Sequence, residues 1–119
     1  MLFYVNDCYN LQFRDCCFTN TKDNLDYVGS EHSAYVLHLS HIVKLYFNNL
    51  QISNFTSHVW GATGTNYITD WVIENSSLNR IDTHYRLNNL YVNNCVVYYP
   101  ISYTGFGKIS IYNTKFLRD

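Results

Sequence analysis

The stretch "LNNLYVNNCVVY" (residues 87–98) alternates apolar and polar residues and is then interrupted by two asparagines. Leu90 and Val92 are separated by one residue, which is the period of a strand with one buried face. A small residue and further apolar residues follow the asparagines. The stretch therefore predicts a strand that changes direction at an asparagine and then continues.

The same pattern recurs along the chain, and each copy is called a rung below. The copies are "NLQFRDCCF" (10–18), "NLQISNFTS" (49–57), "DWVIENSSL" (70–78), "NLYVNNCVV" (89–97) and "KISIYNTKF" (108–116). Their Asn or Asp anchors are Asp15, Asn54, Asn75, Asn94 and Asn113. Successive anchors are 39, 21, 19 and 19 residues apart, so the first gap predicts one degenerate repeat near residues 30–36. A fixed period near 20 is typical of a solenoid.

The anchors are predicted to be corners, because Asn and Asp tolerate positive φ better than other residues with a side chain. The small residues after the corners are expected to point inward: Cys16, Ser76, Cys95 and Thr114. The predicted inward ladders are Leu11, Leu50, Trp71, Leu90, Ile109 and Phe13, Ile52, Ile73, Val92, Ile111. The predicted outward rows are Gln12, Gln51, Val72, Tyr91, Ser110 and Arg14, Ser53, Glu74, Asn93, Tyr112.

These rungs resemble the "NLxIxNCxF"-type rungs of pectin-lyase-like proteins and bacteriophage tailspikes, and the resemblance in periodicity covers most of the chain. It implies an all-β fold, a right-handed parallel β-helix of about six coils with a period of about 19–21 residues. Residues 1–119 would form a single module, with loops leaving the coil at about 19–33 and 61–66. A leucine-rich repeat is the structural alternative, but no rung contains a helical return segment.

Composition excludes several classes of protein. The chain has 119 residues, of which 47% are apolar and 14% charged, so it is long and apolar enough to fold around a core. A net charge of −1 with scattered Lys and Arg gives no reason to expect nucleic acid or an anionic membrane. No apolar run is long enough for a transmembrane helix, and the start of the chain does not resemble a signal peptide. Four cysteines without a C-x-x-C pair predict neither a metal site nor a cofactor.

The stretch "RIDTHYRL" (80–87) is the best candidate for chemistry. As a strand it would present Arg80, Asp82, His84 and Arg86 on one outward face. Asp82 and His84 would then serve as an acid–base pair, and the arginines would hold the carboxylate of an acidic sugar. Alternatively, these four residues form a solvent-exposed surface row without a catalytic role, in which the opposite charges neutralise one another.

A second candidate is a glycan-binding surface made of outward aromatic and polar side chains: Tyr91, Tyr103, Tyr112, Asn93 and Arg80. Aromatic faces beside amide groups suit sugar rings and also suit protein interfaces. The Gly-His-Gly motif of polygalacturonase-like enzymes and the stacked aspartates of calcium-dependent pectate lyases are absent from the sequence. This departure from the family pattern counts against inherited catalysis.

The sequence is therefore expected to encode a non-catalytic shaft or receptor-binding module of a tailspike- or fibre-like protein, at a virion surface or outside the cell. Contact with a polysaccharide is expected, without nucleic acid or membrane insertion. The ends of the chain predict no helix that covers the open sheet edges, so a homo-oligomer (a trimer) or a longer chain is expected. The alternatives are a polysaccharide depolymerase (lyase or glycoside hydrolase) and a purely structural assembly component.

Overall fold

The chain folds into one sheet of parallel strands. The computed structural model describes residues 3–19, 36–53, 63–99 and 101–118. The strands are β1 (Phe3–Thr19), β2 (Leu37–Ser53), β3 (Thr63–Glu74), β4 (Ser77–Leu78), β5 (Thr83–Tyr85), β6 (Leu87–Asn93), β7 (Val96–Val97), β8 (Gly105–Tyr112) and β9 (Lys115–Phe116). Every pairing between them is parallel, and the described residues contain no helix.

The sheet curls because each rung turns corners. The strands β1, β2, β3, β6 and β8 lie side by side in that order and form the central face. β2 pairs with β3 along its first part and with β4 after the corner. Outside the named strands, the segments around Asp82 and Ser102 also lie side by side, since these two residues form a parallel bridge. The strands are therefore successive passes of one winding chain, as the prediction of an all-β parallel solenoid requires.

The described residues contain five rungs rather than six. Almost all of the repeat expected near residues 30–36 lies outside the described residues, and β1 and β2 pair directly along their whole length. Most of the loop predicted at 19–33 lies outside the described residues. Of the loop predicted at about 61–66, residues 63–66 belong to β3 and residues 61–62 lie outside the described residues.

The register confirms the inward ladders except in the second rung. The first inward column is Leu11, Leu45, Trp71, Leu90 and Ile109, and the second is Phe13, Phe47, Ile73, Val92 and Ile111. Leu45 and Phe47 thus replace the predicted Leu50 and Ile52, and Tyr46 and Asn48 replace Gln51 and Ser53 in the outward rows. The cause is that "LYFNN" (45–49) and "LQISN" (50–54) both fit the repeat.

Residues with positive φ fall in three columns at the bends of the rungs. The entry corner is formed by Asp7, His41, Tyr67 and Arg86. The mid-strand kink is formed by Asn10, Lys44, Asp70, Asn89 and Gly107. The exit corner is formed by Asp15, Asn49, Asn75, Asn94 and Asn113. Four of the predicted corners are confirmed, whereas the second rung turns at Asn49 and the predicted Asn54 lies outside the described residues.

The core lies inside the curl and is built from the inward columns. Trp71, Phe47 and Leu90 at the middle of these columns are at most 1% exposed. Ile109 and Ile111 occupy the same columns in β8 but are 45% and 40% exposed. The two inward ladders are therefore buried in the middle rungs and exposed to solvent at the β8 edge.

Candidate functional site

A groove runs along the outside of the central face, next to the mid-strand kink. Its first section encloses about 350 Å³ and its second about 540 Å³, and the two sections share Asp70 and Val72. Side chains of the first section include Asn10, Gln12, Arg14, Lys44 and Tyr46, and those of the second include Asn89, Tyr91, Lys108 and Ser110. Because neighbouring strands are about 4.8 Å apart, a groove across five rungs is about 19 Å long. It is called the outer groove below.

In the first section of the outer groove, a tyrosine ring forms a cation–π contact with an arginine. The Arg14 guanidinium lies 4.8 Å from the centre of the Tyr46 ring, and its Nε donates a hydrogen bond of 2.8 Å to Gln12 Oε1. These contacts stabilise the orientation of an otherwise flexible arginine. Lys44 adds a second positive charge to the same section.

The second section of the outer groove is bordered by an ordered polar pair. Asn89 Nδ2 donates a hydrogen bond of 2.9 Å to Asp70 Oδ1, and Asn89 Oδ1 accepts one of 2.9 Å from the Lys108 backbone N–H. The amide of Asn89 therefore joins three neighbouring rungs at the kink. Tyr91 forms part of the opposite wall and is 37% exposed.

The structure brings three of the predicted glycan-binding residues together. The rings of Tyr91 and Tyr112 are 5.8 Å apart at an angle of 48°, and Tyr112 is 52% exposed. Asn93 lies opposite Tyr112 in the register and accepts a hydrogen bond of 3.1 Å from Asn113 Nδ2. Tyr46 is absent from the predicted site, because the error in the second rung placed Gln51 at its position.

Tyr103 does not project outward as predicted. Its hydroxyl lies 3.2 Å from the Leu87 carbonyl oxygen and 2.9 Å from that of Phe106, and its ring packs against the core. Burial raises the pKa of this phenol above its usual value. The alternation expected for a strand fails here because the chain is not a strand at residues 103–104. Tyr103 therefore helps to pack the last two rungs together.

Asp82 is buried rather than outward, which corrects the predicted row of Arg80, Asp82, His84 and Arg86. Asp82 is 3% exposed, and its Oδ2 lies 3.6 Å from His84 Nε2. Burial raises the pKa of this carboxyl, while the charges of Arg80 and His84 and a hydrogen bond with the Ser102 side chain act in the opposite direction. Arg80 is therefore near enough for its charge to act on the Asp82 carboxyl, and it does not line the outer groove.

A β-bulge explains why the predicted alternation fails at this point. Thr65 pairs with Thr83 and the next residue, Asn66, pairs with Tyr85, so His84 is an extra residue in its strand. His84 and Tyr85 are consequently both exposed, although strict alternation along a strand would place them on opposite faces. Arg86 follows at the entry corner with a φ of 45° and is also exposed.

Comparison with protein-family models, with curated proteins and with solved structures gave no match. In the described part of the chain, no group of three or more His, Cys, Asp or Glu side chains is placed to hold a metal ion. The described residues also form no helix long and apolar enough to cross a bilayer. Function is therefore inferred from the outer groove and from the Asp82–His84 pair.

Proposed function

We propose that this chain is a right-handed parallel β-helical shaft of a tailspike- or fibre-like surface protein, of the pectin-lyase-like type, and that its outer groove contacts a polysaccharide. Such a protein would act at a virion surface or outside the cell. The observation that supports this most is that the two sections share Asp70 and Val72 and together include side chains from all five described rungs. A linear polymer can contact every rung of such a groove at once.

The side chains of the outer groove suit sugars. Tyr91 offers an exposed ring against which the apolar face of a sugar packs, whereas one face of Tyr46 is covered by the Arg14 guanidinium. Gln12 and Asn10 provide amide donors and acceptors for hydroxyl groups. Lys44, Arg14 and Lys108 would attract the carboxylates of an acidic sugar, and Asp70 accepts hydrogen bonds from hydroxyl groups.

The test is a calorimetric titration of the protein with bacterial surface polysaccharides that a glycan array selects. Tyr91→Ala removes a wall of the groove and should weaken binding about tenfold, since an aromatic contact contributes about 1–1.5 kcal/mol. Tyr4→Ala is the matched control, because Tyr4 is 62% exposed and does not line the groove. Absence of binding to any polysaccharide, or equal loss in both variants, would show that the groove is not a glycan site and favour a purely structural role.

A depolymerase is the second candidate, and the Asp82–His84 pair is the observation that favours it. The buried carboxyl group of Asp82 lies 3.6 Å from the exposed imidazole of His84, which places the acid and the base that cleavage of a glycosidic bond requires side by side. Arg86 is exposed two residues further on and would hold an acidic sugar. This candidate predicts cleavage of a polysaccharide, measured as new chain ends, that His84→Gln and Asp82→Asn abolish. Turnover unchanged in both variants would eliminate it.

A further inference from the structure

The entry corner contains bulkier residues than the exit corner. The exit corner has only Asn and Asp, which tolerate positive φ. At the entry corner, His41, Tyr67 and Arg86 have φ values of 56°, 56° and 45°. Bulky side chains are uncommon in this conformation and persist where the surrounding structure holds them, often at functional positions. The bend alone therefore does not explain these residues.

Three aromatic rings stack along this corner. The rings of His41 and Tyr67 are 4.6 Å apart at an angle of 19°, and those of Tyr67 and Tyr85 are 6.0 Å apart at 16°. Tyr85 joins the stack because the bulge at His84 turns it outward. Tyr67 and Tyr85 remain 42% and 60% exposed, so the stack is open to solvent. Asp7, His41, Tyr67, Tyr85 and Arg86 are together called the entry ridge.

Opposite charges occupy the two ends of the entry ridge. Asp7 lies in the first rung and Arg86 in the fourth, and both are exposed. Within the part of the chain that the structure describes, neither side chain forms a hydrogen bond or an ion pair. Three steps of about 4.8 Å separate their rungs, so the charges are about 14 Å apart along the stacking direction.

We infer that two copies of this chain pack antiparallel through their entry ridges and form a twofold dimer. A twofold axis across the middle of the ridge brings Asp7 of each copy to Arg86 of the other, and His41 opposite Tyr67. Such an isologous contact requires a surface that is complementary to itself, and a ridge with an acid at one end and a base at the other satisfies this. Exposed tyrosines and an arginine are also the residues enriched at protein interfaces.

The dimer is independent of polysaccharide binding in the outer groove, which Asp7 and Arg86 do not line, and it differs from the trimer predicted from the sequence. The ridge involves few residues, so a dimer that dissociates on dilution is expected rather than a permanent one. Because its charged pairs lie at the rim of the contact, added salt should weaken it. Sedimentation equilibrium should give a mass of twice 14.0 kDa at high protein concentration and 14.0 kDa on dilution.

A reciprocal charge exchange tests the pairing. Arg86→Asp and Asp7→Arg should each give a monomer, because like charges then face each other across the contact. The double variant restores opposite charges and should restore the dimer. Circular dichroism checks the fold of each variant. Asp7→Asn and Arg86→Gln, which each remove one charge without introducing the opposite one, should each weaken the dimer and serve as the test should an exchanged charge disturb folding.

The controls separate this dimer from other associations and from the proposed function. Lys115→Asp alters an exposed charge on β9 and should leave the dimer intact. Tyr91→Ala should weaken polysaccharide binding without changing the mass. A wild-type protein that is monomeric at every concentration or trimeric would overturn the inference. Dimers that survive both single exchanges, or a folded double variant that remains monomeric, would do the same.

Discussion

Asn94 shows how a single side chain turns a strand and joins two rungs. Its φ of 56° bends the chain at the exit corner, and its Nδ2 donates a hydrogen bond of 2.8 Å to Asn75 Oδ1 in the preceding rung. Its backbone N–H donates to the carbonyl oxygen of Tyr112 in the following rung. Asparagine combines a tolerance of the left-handed conformation with an amide that can bond along the column.

Replacing Asn94 separates these two contributions. Asn94→Gly keeps the left-handed conformation and loses the amide contact, which should lower the free energy of unfolding by about 1 kcal/mol. Asn94→Ala loses the contact and adds a conformational cost of about 1 kcal/mol, so it should lower the free energy of unfolding by about 2 kcal/mol. Urea denaturation measures both values. An alanine variant as stable as the glycine variant would show that the corner does not require this conformation.

Among the elements, the connection between β4 and β5 places two polar side chains, Asn79 and Asp82, in the interior. Residues 79–82 link the two strands, and the backbone N–H groups of Tyr99 and Ser102 donate to the carbonyl oxygens of Asn79 and Ile81. Ile81 and Asp82 are both buried, although only one of them is apolar. The connection thus places a carboxyl group in a poorly solvated site, where its charged form is disfavoured.

Asp82→Asn should change stability in a way that depends on pH. Burial raises the pKa of Asp82 above 3.8, so the folded state binds the proton more tightly than the unfolded chain does. The stability that this group contributes is complete below its unfolded pKa and is lost as the pH rises through its folded pKa. The variant should therefore gain stability relative to the wild type at neutral pH but not at about pH 3. Urea denaturation at both pH values measures this, and a difference independent of pH would contradict it.

At the scale of the whole molecule, position along the stack of rungs decides how much a core residue contributes. Leu90 and Ile109 are neighbours in one inward column. Leu90 lies between two rungs and is 1% exposed, whereas Ile109 lies in β8 and is 45% exposed. In a solenoid each rung packs mainly on its neighbours, so an outer rung contributes less burial than an inner one.

Truncation of these two residues should have unequal effects. Leu90→Ala leaves a cavity in a packed column and should lower the free energy of unfolding by about 3 kcal/mol. Ile109→Ala removes a side chain that is half open to solvent and should lower it by less than about 1 kcal/mol. Denaturant titration of both variants gives the comparison. Equal losses would mean that another chain or segment covers β8 in solution.

The local pattern of residues was enough to predict the parallel rungs, the corner asparagines and most of the inward columns. These features repeat in each rung and depend on strand alternation and on backbone preference, which nearby residues determine. Tertiary structure alone decided that "LYFNN" and not "LQISN" stacks in the second rung, because both windows satisfy the same alternation. It also decided the bulge at His84, the burial of Asp82 and the exposure of Ile109. Each of these depends on which rung lies alongside, and a local pattern carries no information about that neighbour.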